Sequence, residues 1–221
     1  MKRITLFAGH YGSGKTSIAV SWAKHIKNQG FKTTIVDLDI VNPYFRTKDS
    51  ERELKDAGIE LICSEYANTN LDAPALPKEI YKAISDKESH LVIDVGGDDR
   101  GAVALGRYAE DIKTEDNYEM LFVASCYRPL TKTPEDALEI MREIETASKL
   151  KFTGIVNNSN IGNSTTGEDV KKSIAFINKL SEISGLPVKM STATASVYEE
   201  IKNDIPNAFC IDLQDKYYEI K

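Results

Sequence analysis

Short apolar runs alternate along the chain with segments of helical periodicity. The runs that predict strands are Ile4 to Ala8, Thr33 to Leu38, Glu60 to Cys63, Leu91 to Val95, Glu119 to Ser125, Phe152 to Asn157 and Pro187 to Met190. Several of them are apolar without interruption, which is typical of strands buried on both faces of a parallel sheet. The pattern therefore predicts an α/β fold: one doubly wound, mostly parallel sheet with helices on both faces.

Apolar residues at helical spacing predict helices between these strands. The predicted helices run from Thr16 to about Gly30, from Pro77 to Asp86, from Pro134 to Ser148, from Gly167 to Ser184 and from Ala195 to Asn203. The helix at Pro134 has a clear beginning, because Thr133 is a favoured cap and proline suits the first helical position. We find no internal repeat or linker, and we expect one domain over residues 1–221.

Composition narrows the classes of function. Hydrophobic residues make up 41% of the chain and charged residues 28%, and the net charge of −6 argues against a broad basic surface for nucleic acid. No run approaches the roughly 18 apolar residues of a membrane span, and the first apolar stretch stops at Gly9. Cys63, Cys126 and Cys210 lie far apart, without metal-ligand spacing. We expect a cytoplasmic protein that binds neither membranes nor nucleic acid.

The strongest chemical signal is the segment Gly9-His-Tyr-Gly-Ser-Gly-Lys-Thr16, which fits the phosphate-binding pattern GxxxxGK[ST]. It follows a predicted strand and opens a predicted helix, which is the context that the pattern requires. Glycines let the backbone approach a phosphate chain, Lys15 supplies an ammonium group, and Thr16 supplies a hydroxyl for Mg²⁺. The nucleotide-binding residues predicted in this segment are Gly9, Gly12, Ser13, Gly14, Lys15, Thr16 and Ser17.

A second candidate element ends the apolar strand that leads into Asp94. A carboxylate at that place fits an Mg²⁺ ligand, usually acting through a water molecule, opposite Thr16. An aspartate at a strand end can also simply shape a turn. Gly97 follows three residues later, where its N–H group could bond the γ-phosphate. The glycines between 96 and 101 permit two backbone states, so this segment is a candidate switch.

A third element, Asp37-Leu-Asp39, ends the second predicted strand. The three elements together resemble the MinD/ParA-like P-loop ATPases, the group that includes nitrogenase iron protein and the CobQ/CobB nucleotide-binding domain. The resemblance extends from Met1 to about Ser196 but is motif-level outside these blocks. It implies that Asp37 assists the metal shell, that Asp39 orients the attacking water, and that both act with Lys15 in catalysis. As an alternative, the two aspartates could form a solvated turn.

The chain departs from that family in the phosphate loop. The family usually has a lysine at the second position, which reaches across a dimer to the partner's nucleotide, whereas this chain has His10, and Tyr11 replaces a usual glycine. Histidine is too short, and largely neutral near pH 7, to replace that lysine. Any homodimer is therefore not expected to depend on ATP. Nothing in the sequence selects among the arginines that could supply the missing charge: Arg46, Arg100, Arg107 and Arg128.

The nucleobase is predicted from the end of the strand that begins at Phe152. A guanine reader of the NKxD type has a lysine and an aspartate there, and this chain has neither. An asparagine amide can donate to adenine and accept from its amino group, and the resemblance makes Asn158 the best-aligned position, with Asn157 second. ATP is therefore favoured, although the asparagines could also only shape the turn.

Two classes of function remain. The favoured one is a Mg²⁺-dependent ATPase switch that acts on a partner protein, in enzyme activation, cofactor insertion or positioning. The alternative is a phosphotransferase: a small-molecule kinase, or an ATP-dependent ligase of the dethiobiotin-synthetase-like type, with an acceptor pocket facing the γ-phosphate. Residues that could line such a pocket are Asn42, Tyr44, Arg46, Glu65, Tyr66 and Asn70.

Overall fold

The computed structural model describes residues 1–39, 47–63, 78–97 and 99–213. Within these residues the strands are β1 (Ile4–Ala8), β2 (Lys32–Leu38), β3 (Glu60–Cys63), β4 (Ser89–Val95), β5 (Tyr118–Ala124), β6 (Gly154–Asn157), β7 (Val188–Ala193) and β8 (Ala208–Cys210). They form one sheet in the order β3-β2-β4-β1-β5-β6-β7-β8, with every adjacent pair parallel. The predicted parallel α/β sheet is confirmed.

Helices connect these strands. The described α-helices are α1 (Lys15–Asn28), α2 (Glu51–Asp56), α3 (Glu79–Ser85), α4 (Asp99–Leu105), α5 (Ala109–Glu115), α6 (Pro134–Ser148), α7 (Gly167–Ser184) and α8 (Ala195–Ile201). Helix α6 begins as predicted: the Thr133 hydroxyl accepts from the N–H of Asp136, whose side chain accepts from the N–H of Thr133. The sequence did not predict α2, α4, α5 or β8.

Alternate residues of each strand face opposite helical layers. In β1, Leu6 packs in a core with residues of α3, α5, α6 and α7, whereas Phe7 packs in a second core with residues of α1 and α2. In β4 and β2, Val92 and Ile35 belong to the second core. Two residues later on the same faces come the carboxylates Asp94 and Asp37, so the alternation places both on the α1 side of the sheet.

The strand order determines where a ligand can bind. Strand β1 lies between β4 and β5, and the chain leaves β1 toward one half of the sheet and later returns to build the other half. Ligands of open parallel sheets bind at such a reversal, beyond the carboxyl ends of the strands. The loop after β1 occupies this position. In the part of the chain that the structure describes, no helix is long and apolar enough to cross a membrane.

Candidate nucleotide site

The loop between β1 and α1 has a backbone that requires glycine. Gly12 and Gly14 adopt left-handed φ angles of 74° and 86°. A Cβ atom on Gly14 would lie 2.2 Å from Nδ2 of Asn158, and one on Gly9 would lie 2.5 Å from the carbonyl oxygen of Val123. The loop is thus pressed against the ends of β5 and β6. Gly14 caps α1 without a side chain, so the first N–H groups of this helix remain suited to binding a phosphate.

Lys15 lies at the floor of this loop and is buried. Its Nζ donates to the carbonyl oxygen of His10 at 3.3 Å. The backbone of Gly97 lies directly against it, since a Cβ atom there would be 2.7 Å from Nζ of Lys15 and 2.7 Å from Cα of Tyr11. The structure therefore brings the predicted γ-phosphate contact, Gly97, to the phosphate loop, where any side chain larger than glycine's would collide.

Asp94 lies at the end of β4 beside the first turn of α1. Its Oδ2 accepts hydrogen bonds from the Thr16 hydroxyl at 2.7 Å and from the Thr47 hydroxyl at 2.8 Å. Its Oδ1 is buried and has no hydrogen-bond partner. A buried carboxylate oxygen without a partner is costly and needs an explanation, such as a cation that approaches it. Thr47 was not predicted, and no motif in the sequence marks it.

The electrostatics of Asp94 indicate the same need for a cation. Burial, and next the neighbouring charge of Asp37, raise the pKa of Asp94 to about 7, although Lys15 and the hydroxyls of Thr16 and Thr47 act in the opposite direction. Asp37 is the direct partner of Asp94 across β2 and β4. Two buried carboxylates side by side repel each other, and a divalent cation between them would remove that repulsion.

The two aspartates of the Asp37-Leu-Asp39 segment have different surroundings. Oδ1 of Asp37 accepts from the N–H of Asp39 at 2.9 Å, and Oδ2 accepts from the N–H of Lys48 at 3.3 Å. Asp37 therefore shapes the turn after β2 as well as facing Asp94. Asp39 lies 9% exposed on the wall of the pocket beside the phosphate loop, against Gly96. Asp39 therefore shares a pocket with the phosphate loop, and its role in orienting water stays a prediction.

These residues fit Mg²⁺ bound together with a nucleotide. Mg²⁺ prefers oxygen ligands, keeps several waters, and is usually held by one or two carboxylates plus substrate phosphates. The Thr16 hydroxyl and the unpartnered oxygen of Asp94 supply such ligands, and Asp37 adds negative charge. Within the described residues, no group of three His, Cys, Asp or Glu side chains could hold a metal.

A pocket of about 310 Å³ opens over the phosphate loop. Of the predicted residues, Gly12, Gly14, Lys15, Thr16, Ser17, Asp39 and Asn158 line it. Gly9 and Ser13 belong to the loop but do not line the pocket. The N–H of Ser13 donates to the carbonyl oxygen of His10 at 3.1 Å, a bond within the loop. The pocket is also lined by residues that were not predicted as site residues: Asn160, Gly162, Ile211 and Leu213.

The two asparagines predicted to read the base are placed differently. The Asn158 amide donates to the carbonyl oxygen of Ser13 at 2.6 Å and accepts from Asn160 at 2.9 Å, so it supports the phosphate loop from below. Asn157 is fully buried, and its amide donates to the Ser173 hydroxyl at 2.8 Å. Only Asn158 borders the pocket, and its amide oxygen also accepts from the Thr192 hydroxyl at 2.5 Å. The structure thus shows Asn158 as a support of the phosphate loop, and its reading of the base stays a prediction.

Several predicted residues lie outside the described ranges. These are the candidate acceptor-pocket residues Asn42, Tyr44, Arg46, Glu65, Tyr66 and Asn70. The candidate switch is described except at residue 98. In the described part, a Cβ atom on Gly101 would lie 2.6 Å from Cα of Gly96, so the first turn of α4 packs closely against the end of β4.

Comparison with known proteins identifies the fold. No family model and no curated protein sequence matches the chain. Among solved structures, it is similar to FtsY from Mycoplasma mycoides, with a TM-score of 0.59 and 19% identity over 86% of this chain and 59% of that one. It is also similar to FtsY from Thermotoga maritima, with a TM-score of 0.59 and 15% identity over 86% of this chain and 61% of that one.

A third similar structure is signal recognition particle 54 kDa protein from Aeropyrum pernix in complex with GDP. The TM-score is 0.57, and the identity is 17% over 85% of this chain and 40% of that one. The chain thus spans less than two thirds of each of these three structures. At these identities the similarity establishes the fold alone: a parallel α/β sheet with helices, as in these three structures.

Proposed function

We propose that this protein is a Mg²⁺-dependent switch that binds and hydrolyses ATP and acts on a partner protein. The observation that carries the proposal is the hydrogen bond between Thr16 and buried Asp94 beside the phosphate loop, with an oxygen of Asp94 that lacks a hydrogen-bond partner. A phosphate loop alone indicates phosphate binding. A carboxylate poised for a metal ion next to it indicates a magnesium-bound triphosphate.

The residues predicted to act in catalysis and metal binding each have a role in this proposal. Lys15 and the first N–H groups of α1 bind the phosphates, and Thr16 and Asp94 hold Mg²⁺, which neutralises charge that develops on the phosphate oxygens. Asp37 adds negative charge to the metal shell. Asp39, on the pocket wall, orients the attacking water. Hydrolysis of a triphosphate needs a positioned water more than a strong base, so a single well-placed carboxylate is sufficient.

The narrower assignment to ATP rests on the segment after β6, where the sequence has neither the lysine nor the aspartate of an NKxD guanine reader. Asn158 and Asn160 of this segment line the pocket, together with Gly162, Ile211 and Leu213. The similar 54 kDa protein was solved with GDP, so guanine is the base against which ATP must be tested.

A switch function is supported by the contact between Gly97 and the phosphate loop. Gly97 lies against Lys15 and Tyr11, where a γ-phosphate would press on it, and helix α4 begins two residues later. Loss of the γ-phosphate would allow the glycine-rich segment to relax and move α4. A partner protein that binds α4 could then distinguish the two nucleotide states. The likeness to MinD/ParA-like ATPases, which rests on three motif blocks, suggests this kind of action.

Equilibrium titration with a fluorescent ATP analogue tests the binding site. We expect Lys15→Ala to abolish tight binding and Thr16→Ala mainly to remove the dependence on Mg²⁺, because the two side chains meet different charges. Lys172→Ala, an exposed lysine on α7, is the matched control and should bind like the parent. Competition with unlabelled ATP and GTP assigns the base. Unchanged affinity in Lys15→Ala would refute the proposal, and preference for GTP would refute its ATP component.

Single-turnover hydrolysis by preloaded protein tests the chemistry. Asp39→Asn should keep the ATP affinity within a few fold of the parent but slow hydrolysis by roughly a hundredfold, since only the water loses its orienting carboxylate. A variant as fast as the parent would leave Asp39 as a turn residue. The same assay distinguishes the proposed ATPase from the alternative function. A small-molecule kinase would turn over ATP only after its acceptor is added.

A further inference from the structure

Arg128 borders the phosphate loop from the β5 side. It lines the same pocket as Gly12, Gly14 and Lys15. Its Nε atom would lie 3.8 Å from a Cβ atom on Gly12, so the guanidinium end approaches the middle of the loop. That Nε is buried and has no hydrogen-bond partner. An arginine nitrogen that is removed from water and unpaired, beside a loop built for phosphate, is a donor in need of an acceptor.

The backbone around Arg128 is held in place. Its N–H donates to the carbonyl oxygen of Ser125 at 3.3 Å, and the buried Thr131 hydroxyl donates to the same oxygen at 2.8 Å. Pro129 follows and favours the extended backbone that Arg128 adopts, with φ −103° and ψ 134°. The turn that carries Arg128 is therefore fixed at the end of β5. A donor on a fixed turn does not have to order its backbone when it binds a ligand.

We propose that Arg128 binds the phosphate chain of the nucleotide and supplies, within one subunit, the positive charge that His10 does not provide. This inference rests on the proposed function. The guanidinium offers two parallel N–H groups to phosphate oxygens and stays charged at any physiological pH. The structure thereby selects among the four arginines that the sequence left open. Arg100 and Arg107 are exposed and do not line the pocket, and Arg46 lies outside the described residues.

The test compares Arg128→Ala, Arg128→Gln and Arg128→Lys in equilibrium titrations with a nonhydrolysable ATP analogue and with ADP. We expect Arg128→Ala and Arg128→Gln to lose at least about tenfold in affinity for the analogue, because a charge-assisted contact with phosphate is lost. Arg128→Lys should recover part of the loss, since it keeps the charge without the fork. Arg142→Ala, an exposed arginine on α6, is the control.

Two further measurements make the outcome decisive. Thermal unfolding of each ligand-free variant shows whether the turn still folds, and Arg128→Gln keeps much of the packing if Arg128→Ala does not fold. Binding of the analogue within twofold of the parent in Arg128→Gln would overturn the inference. Lys15→Ala distinguishes failure of the proposed function from failure of the inference about Arg128. If Lys15→Ala binds the analogue normally, the proposed function itself fails. If Lys15→Ala loses binding but Arg128→Gln binds normally, only the role of Arg128 is refuted.

Discussion

At the scale of one residue, buried Asp94 lowers the stability of the ligand-free protein while it suits the site to bind a cation. Its side chain is 1% exposed, one oxygen has no hydrogen-bond partner, and Asp37 lies beside it on the neighbouring strand. Burial of an incompletely compensated charge destabilises a folded protein. The cost is greatest when the carboxylate is ionised and no cation is bound, so ligand-free protein should be least stable under the conditions that favour Mg²⁺ binding.

Asp94→Asn should therefore stabilise the ligand-free protein at pH 8. The amide oxygen can still accept from Thr16 and Thr47, but the buried charge is gone. The raised pKa of about 7 means that folded protein holds a proton that unfolded protein, with an aspartate pKa near 3.9, has already lost. The destabilisation of the parent thus begins above about pH 4, grows with pH and is complete above about pH 7.

Thermal unfolding at pH 5 and pH 8 measures this effect. The advantage of Asp94→Asn over the parent should be larger at pH 8 than at pH 5, and Mg²⁺ should no longer strengthen the binding of nucleotide to the variant. Glu139→Gln on the exposed face of α6 controls for a general effect of removing a carboxylate. A midpoint for Asp94→Asn below that of the parent at pH 8 would contradict the electrostatic account.

At the scale of elements, the sequence predicts the bounds of long helices more closely than those of short ones. Helices α6 and α7, with 15 and 18 residues, have the predicted bounds because several turns repeat the apolar pattern. Helices α2, α4 and α5 have six or seven residues, and β8 has three. Two turns of helix give few apolar positions to establish a period, so these short elements were missed. Helices α3 and α8, with seven residues each, were predicted, but with bounds longer than those of the structure.

The same distinction applies to the candidate site. Gly14, Lys15 and Asp94 were predicted because each belongs to a local motif whose spacing has a chemical reason. Thr47, Arg128 and Ile211 approach the same pocket or carboxylate from distant parts of the chain. Only the strand order and the packing of the loops bring these three residues to the site, so no local sequence pattern predicts their position. Asn158 was placed near the site by sequence, but its bond to Ser13 required the folded structure.

At the amino-terminal ends of the strands, opposite the site, Arg3 joins several elements. Arg3, just before β1, donates to the carbonyl oxygen of Asp86 at 2.7 Å and pairs with Glu115 of α5 at 2.8 Å. Both side chains of this pair are largely buried, with 7% and 11% exposure. Lys87 also donates to Glu115 but is itself 70% exposed. The pair therefore joins β1, the end of α3 and α5.

Glu115→Gln should lower the free energy of unfolding at pH 7 by about 1–3 kcal/mol, since it removes the charge that compensates buried Arg3. The hydrogen bond from Lys87, and also Arg3, hold the pKa of Glu115 below its usual range. The contribution is thus present above the unfolded pKa near 4.3 and is lost as pH falls through the lower folded pKa. Urea unfolding at pH 7 and pH 3.5 should show the difference shrinking with acid. Lys87→Ala, which removes only the exposed partner, should cost less.

At the scale of the whole molecule, the phosphate loop affects whether two subunits can close over their nucleotides. His10 is turned to its own loop, where Nδ1 lies 2.9 Å from the carbonyl oxygen of Tyr11. An imidazole in that position cannot extend to the nucleotide of another subunit as a lysine would. Tyr11, with 54% exposure, stands in the loop where the MinD/ParA-like ATPases, which the motifs resemble, usually have a glycine. Both substitutions disfavour a sandwich of two subunits closed over their nucleotides.

We therefore expect that ATP alone does not drive dimerisation. Sedimentation without nucleotide, with ADP and with a nonhydrolysable ATP analogue should give the same oligomeric state, because no residue at the second loop position reaches across to a partner. His10→Lys is the informative variant: dimers that form only with the analogue would show that the rest of the interface is present and that only the lysine was lost. If the analogue drives dimers of the parent and His10→Ala abolishes them, the imidazole has taken over the lysine's role, and hydrolysis does not rely on charges within one subunit.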